Sequence, residues 1–261
     1  ERTAYELAWD NIDEGVRYIE VRFAPHLHMH DGLGFDDVIA AIVSGLDRAR
    51  TEHELSPAVR VDGEPPFRFG LIVCAMRAFG PETGTWYTRL FRQFPEAPRK
   101  QIYRMASLEL ARAAVRCRDE LDMPIVGFDL AGQEDGYPAR DHAEAYQYAH
   151  RHFLKKTVHA GEAYGPESIF DAITELHADR IGHGYHLFSP ELCGPKVLSP
   201  DDYVGRLARY IADRRVTIEV CITSNLQTNP KIGAVANHHF GHMLKERLSA
   251  TLCTDNRLHS N

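Results

Sequence analysis

The chain alternates between two hydrophobic rhythms. Tyr5, Ala8, Trp9 and Ile12 recur at i, i+3, i+4 and i+7, which marks one face of a helix, and Gly15 sits where its C-terminal cap belongs. Residues 16–24 then read as a strand, closed by Pro25. Helical spacing returns over residues 35–50. A polar, proline-containing connection occupies 56–66, and an apolar strand run follows at 67–75. Residues 80–98 are aromatic and show no period, so they read as an irregular insertion over the strand ends. Residues 99–121 form a long helical pattern. Beyond that the alternation is regular. Strands are predicted at 124–130, 156–160, 179–183, 216–223 and 249–254, and helices at 141–153, 166–178, 201–214 and 238–248.

Strands alternating with helices predict an α/β fold with a parallel sheet and crossover helices. A closed barrel of this kind wants eight strands, and seven are legible. The expectation is therefore a (β/α)8 TIM barrel with about seven of its eight strands in this chain, incomplete at both ends. No linker or low-complexity tract interrupts residues 1–261, which predicts one domain. With 261 residues, 44% of them hydrophobic, the chain can bury one large core.

Charge and cysteine content narrow the partners. The net charge is -7, so there is no basic footprint for nucleic acid, and a small neutral substrate fits better. Five cysteines without a CxxC pair read as small buried hydrophobes in a reducing compartment, which places the protein in the cytoplasm. No run is apolar and long enough to cross a bilayer. Oligomeric state is left open.

The candidate chemistry sits at strand ends. Lys156-Thr157-Val158-His159-Ala160-Gly161-Glu162 reads as a short strand that ends on a histidine, turns on a glycine and presents a glutamate. His183, in Arg180-Ile181-Gly182-His183-Gly184, ends the next strand, and Asp255, in Thr254-Asp255-Asn256, ends the last. Asp129 and Gly132 end an earlier one. In a parallel barrel these ends converge on one face, so residues far apart in sequence become neighbours. Histidine and carboxylate ligands suit a divalent cation such as Zn²⁺. Glu162 could then carry a proton, and His183 could orient the attacking water. Each has a plainer reading taken singly: His183 as a hydrogen-bonded core histidine, Asp255 as a helix cap. His26, His28 and His30 form an H-x-H-x-H that reads as a polar loop, because Pro25 has already ended the pleat.

These motifs together resemble the adenosine deaminase family of the metal-dependent amidohydrolase superfamily. The matching stretches also include Tyr18-Ile19-Glu20-Val21-Arg22-Phe23-Ala24-Pro25-His26, Gly127-Phe128-Asp129-Leu130-Ala131-Gly132 and Glu219-Val220-Cys221-Ile222-Thr223-Ser224-Asn225. The resemblance implies a barrel of the metallo-dependent hydrolase type binding one Zn²⁺. It implies hydrolytic loss of the 6-amino group of a purine nucleoside, adenosine or 2′-deoxyadenosine, to the 6-oxo product and ammonia. His159 and Asp255 match zinc ligands. Glu162 matches the proton donor to purine N1, and His183 the histidine that steadies the water. Gly132 matches a backbone contact to the purine, and Asn256 lies where a purine N7 contact is made.

Departures from the family pattern shape further expectations. The H-x-H ligand pair of the family's first strand is expected upstream of this chain, so the chain alone should hold zinc poorly and be inactive. Asn256 replaces the Asp of many relatives, but its amide can still donate to N7. Ile222 stands where Pro is usual, and Gln133 where Asp is often seen. One alternative keeps the chemistry on a modified nucleoside such as aminodeoxyfutalosine. Another is a catalytically silent nucleoside-binding or scaffold protein, against which the set of His159, Glu162, His183 and Asp255 argues.

Overall fold

A computed structural model describes residues 1–257. The chain divides into two compact units, Glu1–Phe128 and a second that begins at Asp129. The first holds α1 (Arg2–Asp13), β1 (Tyr18–Phe23), α2 (Phe35–Glu54), α3 (Pro57–Arg60), β2 (Arg68–Met76), α4 (Thr85–Gln93) and α5 (Arg99–Glu120). Strand β3 (Ile125–Ala131) crosses the division. The second unit holds α6 (Ala143–Arg151), β4 (Lys155–Ala160), α7 (Pro166–Thr174), β5 (Arg180–His183), α8 (Pro200–Arg214), β6 (Thr217–Val220), α9 (Ile222–Thr228), α10 (Phe240–Lys245) and β7 (Ala250–Leu252). Strand neighbours follow chain order from β1 to β7. The architecture is α/β in the (β/α)8 TIM-barrel pattern, with seven strands among the described residues.

In the first unit, α1 ends as its glycine foretold. Gly15 adopts φ +82°, its N–H donates to the Ile12 carbonyl at 3.0 Å, and the Val16 N–H donates to Asn11 at 2.9 Å. Helix α1 lies hard against α2 at Gly45, where a Cβ would fall 2.2 Å from the Glu1 carbonyl oxygen. Strands β1 and β2 pair in parallel from Tyr18↔Arg68 to Phe23↔Val73. Leu71, Ile72, Val73, Cys74 and Ala75 are all buried, so β2 is covered on both faces. That is why its sequence is apolar without alternation.

Two connections differ from expectation. The segment 56–66 contains the single turn α3, and the insertion at 80–98 contains α4. Helix α4 buries Tyr87, which stacks on Phe79 with ring centroids 3.7 Å apart, and Phe79 also meets Tyr103 and Phe91 edge-on. Trp86, Tyr87, Leu90 and Phe91 share one helical face, but over only nine residues inside a longer aromatic, proline-bearing segment. The three histidines after β1 do not act together. His26 is buried in the 3₁₀ turn Pro25–Leu27, whereas His28 and His30 are exposed.

In the second unit β4, β5, β6 and β7 pair in parallel, with registers Thr157↔Arg180, Arg180↔Thr217 and Ile218↔Ala250. The predicted strand 216–223 stops at Val220. There the chain curls into α9, and the Cys221 carbonyl accepts from the Asn225 N–H at 2.8 Å. The predicted helices 141–153, 166–178 and 238–248 are shorter at one or both ends, and a 3₁₀ turn at Ala139–His142 precedes α6. Buried polar groups tie the strands together. The Lys156 ammonium, 5% exposed, donates to Asp179 Oδ2 at 2.8 Å, and the same oxygen accepts the Lys156 backbone N–H at 2.8 Å. Glu219 pairs with Arg180 at 3.0 Å and accepts from the Thr157 hydroxyl at 3.3 Å. Each buried charge thus meets a partner from a neighbouring strand or its connection.

Cys74, Cys117 and Cys221 are buried, and all five cysteines are free thiols. Burial, helped by the Asp36 carboxylate, pushes the Cys117 thiol up to about 12. Among the described residues no helix is long and apolar enough to cross a membrane.

His26 generates a stability prediction. Neither ring nitrogen has a hydrogen-bond partner among the described residues, and the ring packs against Trp86 and Tyr87 at 5.6 and 4.7 Å. Burial, with a smaller contribution from His28, lowers its pKa to about 3. The unfolded chain takes up this proton near pH 6.5, and the native chain does not until about pH 3. The neutral ring's contribution is therefore complete above pH 6.5 and declines as pH falls towards 3. In denaturant titrations of the full-length protein from pH 7.5 to 4, His26→Phe should flatten the acid slope by about 1.4 kcal/mol per pH unit. Equal slopes for the two proteins would show that His26 is not held neutral.

Candidate active site

The site is built where β3, β4, β5 and β7 end. Strand β4 finishes at Ala160, Gly161 turns with φ +71°, and Glu162 follows. A Cβ on Gly161 would fall 2.6 Å from the Ile169 side chain, so the tight turn needs a glycine on two counts. Register sets His159 opposite Gly182 and Ala160 opposite His183. Because position 182 has no side chain, the two histidine rings lie with centroids 5.2 Å apart. His183 and Asp255 both hold left-handed backbone, φ +66° and +60°, which non-glycine residues adopt rarely.

His159, Glu162, His183, Asp255 and Gly132 all line one cavity of about 330 Å³ within the second unit. Asn256, the next residue in the chain, is exposed and stands outside the lining. A larger groove of about 870 Å³ runs beside α8 and α10, with Asp201, Arg209 and Glu246 on its walls. The smaller cavity is the candidate because the strand-end residues converge there, as active sites of parallel barrels do.

Electrostatics give the histidines distinct roles. Asp129 is fully buried, and its Oδ2 lies 3.0 Å from His159 Nδ1. With that carboxylate ionised it only accepts, which puts the proton on Nδ1 and the ring's lone pair on Nε2. A carboxylate behind an imidazole in this way is the usual support for a metal-bound histidine. His183 Nε2 lies 3.7 Å from Glu162 Oε2. Ligand atoms of His183, Cys221 and Asp255 lie within 4.8 Å of one another. The Asp255 carboxylate and the Nε2 lone pair of His159, lining one cavity, are donors that suit a Zn²⁺-like cation. Cys221, which the sequence presents as a buried hydrophobe, stands at the same mouth.

Two supporting residues were given no role by the sequence. The buried Glu134 carboxylate accepts from four successive backbone N–H groups: Gly161 at 2.9 Å, Glu162 at 3.2 Å, Ala163 at 2.8 Å and Tyr164 at 3.0 Å. It is the acceptor around which the Glu162 loop is wrapped. The Tyr164 hydroxyl then donates to Asp135 at 2.7 Å and accepts from the Gly136 N–H at 2.8 Å. Asn225 places Nδ2 3.1 Å from His183 Nδ1. The one available hint was an acidic residue two places after Gly132, at a strand end.

The adenosine deaminase family profile matches residues 1–97 and 99–261. An adenosine deaminase from Mycobacterium marinum is 36% identical over 259 residues, 99% of this chain and 61% of the relative. One from Mycobacterium tuberculosis is 35% identical over 260 residues, 99% of this chain and 60% of the relative. The chain thus spans about three fifths of the curated relatives it matches. Solved structures share the fold. An amidohydrolase from Burkholderia ambifaria with bound Zn aligns with TM-score 0.66 at 23% identity, over 97% of this chain and 57% of that one. An adenine deaminase from Arthrobacter aurescens aligns with TM-score 0.64 at 20% identity, over 97% and 61%. With matched segments covering nearly its whole length, this chain belongs to the adenosine deaminase family.

Proposed function

We propose that the protein containing this chain hydrolytically deaminates a 6-aminopurine nucleoside, adenosine or 2′-deoxyadenosine, to the 6-oxo nucleoside and ammonia. One observation carries the reading: His159, Glu162, His183 and Asp255, from three strand ends, share a single cavity. His159 and Asp255 would hold the cation, one Zn²⁺, which supplies Lewis acidity towards a water molecule when bound. Glu162 carries a proton to purine N1 as the water oxygen adds at C6, and then to the leaving amine. His183, 3.7 Å from the Glu162 carboxylate, orients that water. The Gly132 backbone, in the lining, contacts the base, whereas Asn256 stands outside it. The relatives' names support the substrate class, and the zinc-containing neighbour supports the metal.

Three measurements on the full-length protein test this. Ultraviolet difference spectra with adenosine, 2′-deoxyadenosine, aminodeoxyfutalosine and AMP should show conversion of a nucleoside; silence with all of them would sink the reading. Glu162→Gln should keep fold and metal while kcat falls about 100-fold or more. His159→Ala should lose stoichiometric zinc by elemental analysis, and chelation should abolish wild-type turnover until zinc is restored. Full metal content in His159→Ala would remove His159 from the ligand set.

Glu134 yields a separate test. Glu134→Gln puts an NH₂ group where a carboxylate oxygen accepted backbone donors, so the loop bearing Glu162 must shift. We expect kcat to fall by about tenfold to 100-fold, with faster amide exchange at residues 161–164. Unchanged exchange there would show that Glu134 does not hold the loop.

A further inference from the structure

We infer that Asn225 and His238 are positioning residues that hold His183 in its Nε2–H tautomer, with that proton on the Glu162 side of the cavity. The inference deepens the functional reading above and rests on it for its catalytic meaning. Its starting point is a group whose polarity is beyond doubt. The Phe240 backbone N–H donates to His238 Nδ1 at 3.0 Å. That nitrogen must therefore accept, and in a neutral ring the proton is on Nε2. Burial, with His239 adding to it, lowers the His238 pKa to about 4, so the ring is neutral at pH 7.

The remaining polarities follow in sequence. His238 Nε2 lies 3.1 Å from Asn225 Oδ1, so the amide oxygen must face His238. The Asn225 NH₂ then faces His183 Nδ1 at 3.1 Å, and that nitrogen accepts. The neutral His183 ring carries its proton on Nε2, the nitrogen 3.7 Å from Glu162 Oε2. Turning the Asn225 amide over would set two donors against each other at His238. The links between the three residues are buried: His183, Asn225 and His238 are 2%, 2% and 6% exposed. A wrong orientation would therefore set like polar atoms against each other in the interior.

The local fold delivers these groups for reasons already described. The curl after β6 brings Asn225 into the interior, and the approach to α10 brings His238 to its other side.

The tautomer has a chemical consequence. An Nε2–H donates to an oxygen lone pair, so it can orient the water and steady charge that develops on oxygen. The opposite tautomer would present a lone pair and compete with Glu162 for the proton. The relay from Phe240 therefore separates the two tasks: His183 donates and Glu162 carries protons.

The test uses the full-length, metal-loaded protein labelled with ¹⁵N-histidine. Long-range ¹H–¹⁵N spectra distinguish protonated from unprotonated ring nitrogens, and the His183 signals are assigned by their loss in His183→Gln. The expected wild-type pattern is an unprotonated Nδ1 and a protonated Nε2. Asn225→Asp presents only acceptors, so it should draw the proton to Nδ1 and lower kcat at least about tenfold, with KM within about twofold. His238→Leu should lower kcat about tenfold, and His238→Gln, which can still donate to Asn225 Oδ1, should recover most of it. A wild-type His183 protonated on Nδ1 overturns the inference even if every variant misfolds. So does an Asn225→Asp protein with unchanged His183 signals and kcat. If the wild type shows the expected tautomer but deaminates no purine, the relay stands and the functional reading falls.

Discussion

The site depends first on the register of β4 against β5. In that register His159 faces Gly182, and His183 lies one step beyond, where left-handed backbone turns its ring towards His159; a slip by one residue would take the glycine away from the His159 ring. The register is pinned from below by buried polar pairs. Lys156 reaches Asp179 at the entrance to β5, and Glu219 on β6 gathers Arg180 from β5 and Thr157 from β4. These contacts tolerate no slip, since each would leave a buried charge without its partner. Above them, the missing side chain at Gly182 leaves room for the His159 ring. Three strands are thus held at the base by charges so that two imidazoles can meet at the mouth.

A second layer of order comes from neighbouring strand ends. His159 is backed by Asp129 from β3, the Glu162 loop by Glu134 beyond β3, and His183 by Asn225 beyond β6. In each case the supporting group belongs to a different strand end from the group it supports. The arrangement makes the geometry of the mouth a property of several strand ends of the second unit together. It also means that the polar atoms needed for support are buried and satisfied, which favours one arrangement over its near alternatives.

How much of this could be read from the sequence follows from what leaves a periodic trace. All seven strands were legible, because apolar and β-branched runs between turn residues mark strands, most plainly where both faces are covered, as in β2 and β3. The residues placed at the ends of those runs, His159, His183 and Asp255, were legible for the same reason: position relative to a strand predicts where a side chain emerges. Helix α4 was passed over although Trp86, Tyr87, Leu90 and Phe91 fall at helical spacing, because that pattern spans only nine residues of an otherwise irregular aromatic segment. Helix α9 was hidden by the apolar and β-branched run from Val216 to Thr223, which continues a strand pattern past the point where the backbone turns. Glu134 and His238 lay outside any pattern, and Asn225 closed a stretch that resembles the family without having a role of its own. Their importance comes from what they face across the fold, and a polar residue beyond a strand end gives no hint of its partner.

The left-handed backbone at His183 and Asp255 sets the interests of the fold against those of the cavity. A side chain in that conformation costs roughly 1 kcal/mol that glycine would avoid. At Asp255, which is exposed, the chain could become sturdier by losing a group that defines its mouth. A laboratory selection that rewarded heat tolerance alone would drift towards glycine there and leave a durable barrel with one hand empty. His183 is held differently, because removing a buried ring tied to Asn225 costs more than its backbone conformation does.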